Sequence, residues 1–221
     1  NKVIIKREAK LSENIKNASA LGEPLIYIYN THQTEEYAPG SLKNYNITPT
    51  VYIAANILKE NLRENGINAI VEDSSLQKGL SERGLNYNGA YTLSYEWLTS
   101  AKERYPSVKY FIDLHRDSVS ASTTINNYSY AKMMFVIGMN HDNYKKNEEL
   151  MLKLNEFLNR GYEGLMREPF YGKNSRYNQH FNENVMLIEI GGPESTINEV
   201  SLSVKAFAES LSNLLGEDYG R

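Results

Sequence analysis

The sequence predicts an α/β fold, a largely parallel central sheet with helices on both faces. Two observations carry that prediction. Short, nearly continuous apolar runs of strand length alternate with stretches of helical periodicity along most of the chain. No internal repeat, low-complexity tract or Ser/Gly linker interrupts them, so residues 1–221 read as one domain.

Residues 1–22 are charged and loosely periodic, and read as an N-terminal extension: a short helix packed on the domain, or a linker remnant. Pro24–Asn30 is a buried strand. Thr48 and Pro49 form a helix-start signal, with Thr48 as cap and proline in the first turn. The apolar spacing Val51, Ala54, Ala55, Leu58, Leu62 continues the helix to Asn65-Gly66, a terminator. Ile67–Val71 is a second strand. Asp73–Asn88 is polar and reads as a long surface loop. Ala90–Tyr105 is helical and stops at Pro106. Val108–Leu114 is a third strand and Tyr130–Ile137 a fourth. Asp142 caps a helix to about Arg160 that gathers Leu150, Leu154, Phe157 and Leu158 on one face. Val185–Ile190 is a fifth strand, followed by Gly191-Gly192-Pro193. A final helix spans about 196–215.

Composition removes several functional classes. The 24 basic and 27 acidic side chains leave a net charge of −3, so no basic field is available to grip nucleic acid. With no cysteine there is no disulfide scaffold, thiolate metal site or cysteine nucleophile. No stretch approaches the roughly 20 apolar residues that cross a bilayer. The chain opens on Asn-Lys-Val-Ile-Ile without an initiator Met, which reads as a processed or trimmed product and is compatible with a removed anchor or signal. The 17 tyrosines against six Phe and one Trp suit a polymer-binding cleft, though each also fits the edge of a core.

Ligands of parallel sheets bind beyond the carboxyl ends of the strands. Here the first strand runs into His32, followed by Glu35 and Glu36. The third ends in Asp113-Leu114-His115-Arg116-Asp117, and the fifth carries Glu189 before two glycines. If these strands are parallel, His32, His115 and Glu189 meet at one sheet edge. Two neutral imidazoles and a carboxylate are a frequent ligand set for catalytic zinc, which acidifies its bound water. A separate carboxylate must then move the proton. Glu189 is placed for that, since an idle ionised Glu in an apolar strand would be costly. The glycines after it would let a substrate backbone come close. Each residue also has a bland reading. His32 fits a surface histidine, His115 an ion-pair cluster, Glu189 a buried partner of Arg116 or Arg167, and Glu35 and Glu36 a solvated pair. His141 and His180 lie in polar loops and read as non-ligands. His-Glu-x-x-His, Gly-x-Ser-x-Gly and nucleotide-binding glycine motifs are absent.

Ile28–Tyr37, Ile112–Ser118 and Leu187–Gly192 resemble the signature blocks of the stage II sporulation protein P family, as do Tyr87–Tyr91, Tyr130–Lys132, Phe135–Gly138 and Tyr177–Gln179. The likeness covers about residues 24–215, and Asp113–Ser118 is its most specific part. The resemblance implies a zinc-dependent peptidoglycan hydrolase with an N-acetylmuramoyl-L-alanine amidase-like fold. It would cut between N-acetylmuramic acid and L-alanine, with cross-link endopeptidase activity also attributed to the family. His32 and His115 match the zinc histidines and Glu189 the catalytic glutamate. Glu35 matches the Thr-His-x-x-Glu pattern as third metal ligand, with Glu36 as the alternative. In the related amidases the ligand glutamate comes later, near the start of the next helix, and Ile47–Val51 offers no carboxylate. The implied partner is a membrane-anchored lytic transglycosylase of the engulfment machinery. The implied location is extracytoplasmic, with membrane association only through an N-terminal anchor that this chain lacks. A zinc carboxypeptidase acting on wall peptides and a non-catalytic wall-binding module are the competing readings. The polar loops 36–46 and 73–88 are expected to form a lid or rim.

Overall fold

The computed structural model describes residues 22–218. The expectation for the N-terminal extension therefore lies outside the described residues, apart from Gly22. A six-stranded sheet has the order β2-β1-β3-β8-β6-β7, built from β1 (Ile26–Tyr29), β2 (Ala69–Val71), β3 (Tyr110–His115), β6 (Met133–Gly138), β7 (Phe170–Gly172) and β8 (Val185–Ile190). All neighbouring pairs are parallel except β6 with β8. A separate antiparallel hairpin joins β4 (Ser122–Ile125) to β5 (Tyr128–Ala131).

Side chains alternate between the two faces of a strand. Ile26, Ile28, Ile112, Leu114, Phe135 and Ile188 point to one face. There they pack with helices α1 (Val51–Glu64), α4 (Tyr144–Gly161) and α5 (Ile197–Asp218) in a single apolar cluster. Tyr27, Tyr29, Phe111 and Val185 point to the other, where Leu98 and Ala101 of α3 (Ala90–Arg104) cover them. Thus the same 2-residue alternation that builds both cores puts Asp113, His115 and Glu189 on the α3 face, at the carboxyl ends of β3 and β8.

Four local expectations need correction. Residues 73–88 are not a loop: α2 (Leu76–Glu82) forms there, with Ser75 capping it by accepting from the Lys78 N–H. Leu76 and Leu80 pack against Leu93 and Trp97 of α3. Gly79 allows the approach, because a Cβ there would lie 2.6 Å from the Leu93 side chain. The predicted strand 130–137 is two strands in different sheets. Asn126 and Asn127, both left-handed at φ 50° and 65°, turn the chain into the β4–β5 hairpin. Thr48 and Asp142 do not cap helices. Thr50 and Asn143 occupy those positions, neither with a side-chain cap bond. Residues 49–50 bridge instead to 36–37, with the Tyr37 N–H donating to the Pro49 carbonyl. In the other polar loop, Pro39–Tyr45 winds into a 3-10 turn.

Candidate metal centre and catalytic site

Beyond β1 the chain makes a tight turn in which the Glu35 N–H donates to the His32 carbonyl at 3.0 Å. This puts the two side chains side by side, with His32 Nδ1 3.3 Å from Glu35 Oε1. The Glu35 carbonyl accepts from the Val51 N–H, which locks the turn to the start of α1. His115, 2 % exposed at the end of β3, brings its Nδ1 to 3.5 Å from Glu35 Oε2. The His32 and His115 rings stand nearly perpendicular, 5.0 Å apart.

The structure brings His32, Glu35 and His115 together, with one ligand atom from each within 4.8 Å of the others. Tetrahedral zinc with bonds of about 2.0–2.1 Å needs ligand atoms about 3.3 Å apart. The two contacts, one to each Glu35 oxygen at 3.3 and 3.5 Å, are close to that spacing, and two imidazoles with a carboxylate are a donor set that suits the ion. Glu36 is not part of the group: its side chain is exposed, and its backbone carbonyl accepts from Arg116 Nε at 2.6 Å.

With Nδ1 turned to Glu35, His115 presents Nε2 to Asp113, 2.9 Å away. The contact lacks hydrogen-bond alignment, leaving Nε2 without a bonded partner, so it acts as a charge contact. Asp113 is fully buried and held by the Thr31 N–H at 2.9 Å and the Thr31 hydroxyl at 2.6 Å. Burial opposes a proton on His115, but the Asp113 and Glu35 carboxylates outweigh it and raise its pKa well above the ordinary value. The same negative field favours a divalent cation at Nδ1. Burial also works against charge on Glu35. Contacts with His115 and His32 and the Arg116 N–H overcome it and hold the carboxyl at about 2.

Glu189 faces His115 directly across the β3–β8 register. Burial, followed by the nearby charges of Glu35, Asp117 and Asp113, pushes its pKa up to about 7 against the lowering influence of His115. Its Oε2 is buried without a hydrogen-bond partner. Neither arginine considered as its partner is bonded to it. Arg116 donates to the Glu36 and Asp117 carbonyls, and Arg167 pairs with the Asp117 carboxylate.

Three further features were missed in the sequence. Asp113 supports His115; the sequence placed it in the run of charged residues around His115 without assigning it that role. Tyr37, buried, donates to the Ile190 carbonyl at 3.0 Å and ties the turn after β1 to the end of β8. Tyr87 stacks on the His32 ring at 5.1 Å, and Tyr91 meets it edge-on at 5.6 Å. The glycine expectation is corrected. Gly191 adopts a left-handed φ of 68°, and a Cβ on Gly192 would lie 2.7 Å from the Ser120 backbone. The chain's own loop fills the space assigned to substrate.

The family described as Stage II sporulation protein P (SpoIIP) matches residues 1–212. The chain belongs to this family. Stage II sporulation protein P of Bacillus subtilis (strain 168) is 29% identical over 205 residues, covering 86% of this chain and 51% of that protein. This member of the family thus spans about half the length of that curated relative. The fold is that of the amidases. The CwlD amidase of Clostridioides difficile, solved in complex with the GerS lipoprotein, superposes with a TM-score of 0.55 at 16% identity, over 87% of this chain and 97% of that one. N-acetylmuramoyl-L-alanine amidase AmiC2 of Nostoc punctiforme gives 0.51 at 12% identity, over 90% and 100%. Among the described residues, no helix is long and apolar enough to cross a membrane.

Proposed function

We propose that this chain is a zinc-dependent peptidoglycan hydrolase acting outside the cytoplasm in sporulation. It cleaves the amide between the lactyl group of N-acetylmuramic acid and L-alanine. The observation that carries this reading is the convergence of His32, Glu35 and His115 beside a buried, partnerless Glu189 carboxylate oxygen. Family membership and the amidase fold support it. Residues 1–221 are read as one catalytic unit, and its partner as a lytic transglycosylase of the engulfment machinery.

His32, Glu35 and His115 would hold the ion, which supplies Lewis acidity toward a water and the scissile carbonyl. Asp113 keeps the His115 ring oriented and its far nitrogen compensated, as partners behind metal-binding histidines do. Glu189 takes the proton of the attacking water as the new C–O bond forms. It then returns that proton to the nitrogen as the C–N bond breaks, leaving a lactyl carboxylate and a free L-alanyl amine. Burial in the apolar strand favours the proton-bound form of Glu189 that the return step needs. Tyr87 and Tyr91 wall the His32 side of the site and offer ring faces to a glycan or peptide.

Elemental analysis of wild type and His115→Ala, paired with mass spectrometry of digested walls, tests the reading. Zinc should be present in wild type and lost in His115→Ala, with lactyl-ended glycan and intact stem peptides released by wild type alone. Glu189→Gln should keep its zinc and its wall binding while turnover falls about 10²–10⁴-fold. Trimmed stems on intact muramoyl amides would instead assign a peptidase. A metal-free protein that sediments with walls and releases nothing would assign a binding module.

A further inference from the structure

A second polar group stands apart from the metal ligands. Tyr91, Ser175, Arg176, Tyr177, Asn178 and His180 line a pocket of about 250 Å³. Tyr91 is common to this pocket and to the His32 wall: its ring lies 5.6 Å from His32 and 5.9 Å from Tyr177.

The loop forming the pocket is held in an unusual conformation. Tyr177 and Asn178 are both left-handed, at φ 48° and 56°, without being glycine. Such backbone persists only where its surroundings over-determine it, and it gathers at functional sites. The constraints here are specific. Asn178 Nδ2 donates to the Tyr91 carbonyl and to Ser94 Oγ, each at 2.9 Å. The loop also lies on two glycines. A Cβ at Gly138 would meet the Arg176 carbonyl at 2.8 Å, and one at Gly172 would meet the Tyr177 ring at 2.6 Å.

What this rigid loop presents is cationic. Among the described residues no carboxylate pairs with Arg176. His180 stacks on Tyr95 at 5.1 Å and faces His141 at 6.3 Å, and its Nδ1 and both His141 nitrogens are buried without hydrogen-bond partners. Burial first and Arg176 after it lower the pKa values of both histidines, with the Gly138 backbone and Asp142 opposing this at His141, so the Arg176 guanidinium is the cationic group of the pocket. An arginine with its fork unpaired suits a carboxylate.

We propose that the Arg176 pocket binds a free carboxylate of the stem peptide and sets where that peptide lies relative to the scissile amide. This rests on the amidase reading of the metal site. The path from the His32 ring to the Tyr177 ring by way of Tyr91 is at most about 12 Å, and extended peptide advances about 3.4 Å per residue. The Tyr177 edge of the pocket is therefore about three to four extended residues from the metal ligand His32.

The test uses the full chain, zinc-loaded, and two muramoyl tripeptides. One has free carboxylates on its second and third residues; in the other these groups are carboxamides. Wild type should prefer the carboxylate by about 10–100-fold in kcat/KM. Arg176→Gln should erase the preference by lowering the carboxylate rate alone, and Arg176→Lys should restore part of it. Calorimetric binding of the corresponding free tripeptides gives a readout independent of turnover. Equal cleavage and equal binding of both forms by wild type overturn the subsite while the amidase reading stands. An Arg176→Gln loss shared equally by both forms overturns it too, since that marks a structural role. Arg176-dependent binding of the carboxylate form with no cleavage of either supports the subsite and removes the amidase reading.

Discussion

His115 and Glu189 are directly opposed partners in the β3–β8 pair and leave the sheet on the same face. Parallel pairing in register and the two-residue alternation of strands together place the imidazole beside the carboxylate. A one-residue slip of β8 would send Glu189 into the α5 side of the core and bring Ile190 to the site.

Asp113 is the buried support of His115, so Asp113→Asn should weaken zinc binding about 10–100-fold. Competition with a chromogenic chelator reads this directly. Unchanged affinity would show that strand β3 alone orients the ring.

The two neighbouring glutamates should behave differently. Glu35→Gln removes the charge facing both histidines and should lose the metal. Glu36→Gln, on an exposed side chain, should keep it. Elemental analysis of the two purified variants separates them, and metal loss in Glu36→Gln alone would reverse the assignment.

Glu189 carries a pH signature in the metal-free chain. Its folded pKa, about 7, lies above its ordinary value of 4.5. Between those values the folded state holds a proton that the unfolded state has released. The group's contribution to stability therefore falls as pH rises through that window. Glu189→Gln removes the titration, so the gain in Tm from this substitution should be larger at pH 8 than at pH 5. Thermal melts of both chelator-treated proteins check the sign.

Gly192→Ala should lower stability by about 1–3 kcal/mol, because the new methyl meets the Ser120 backbone, which yields less readily than a side chain. The shift of that loop should also reduce activity, since Asp117 at its start is close enough to influence Glu189. Denaturant unfolding and wall digestion measure the two effects.

The parts of the fold readable from sequence are those with local signals. The apolar run 185–190 matches β8 residue for residue, and the spacing Val51, Ala54, Ala55, Leu58, Leu62 matches the buried face of α1. What escaped is non-local or faint. Helix α2 depends on α3 for most of its apolar contacts, and its one local sign was Ser75 before Leu76 and Leu80. The β4–β5 hairpin was signalled by Asn126-Asn127, whose side chains tolerate the left-handed turn. The break at Lys132, between strands of two sheets, has no mark in the apolar pattern because both flanks are strand-like.

By itself the sequence determined which residue types end the strands, and hence that two imidazoles and a carboxylate approach one sheet edge. Tertiary structure alone decided that Glu35 and not Glu36 faces the histidines, that Asp113 lies behind His115, and that Ser120 rather than a ligand lies over Gly192. The reason is physical. Strand periodicity is written in neighbouring residues, whereas the direction of a side chain in a turn and the closeness of two loops follow from sheet register and packing between segments distant in the chain.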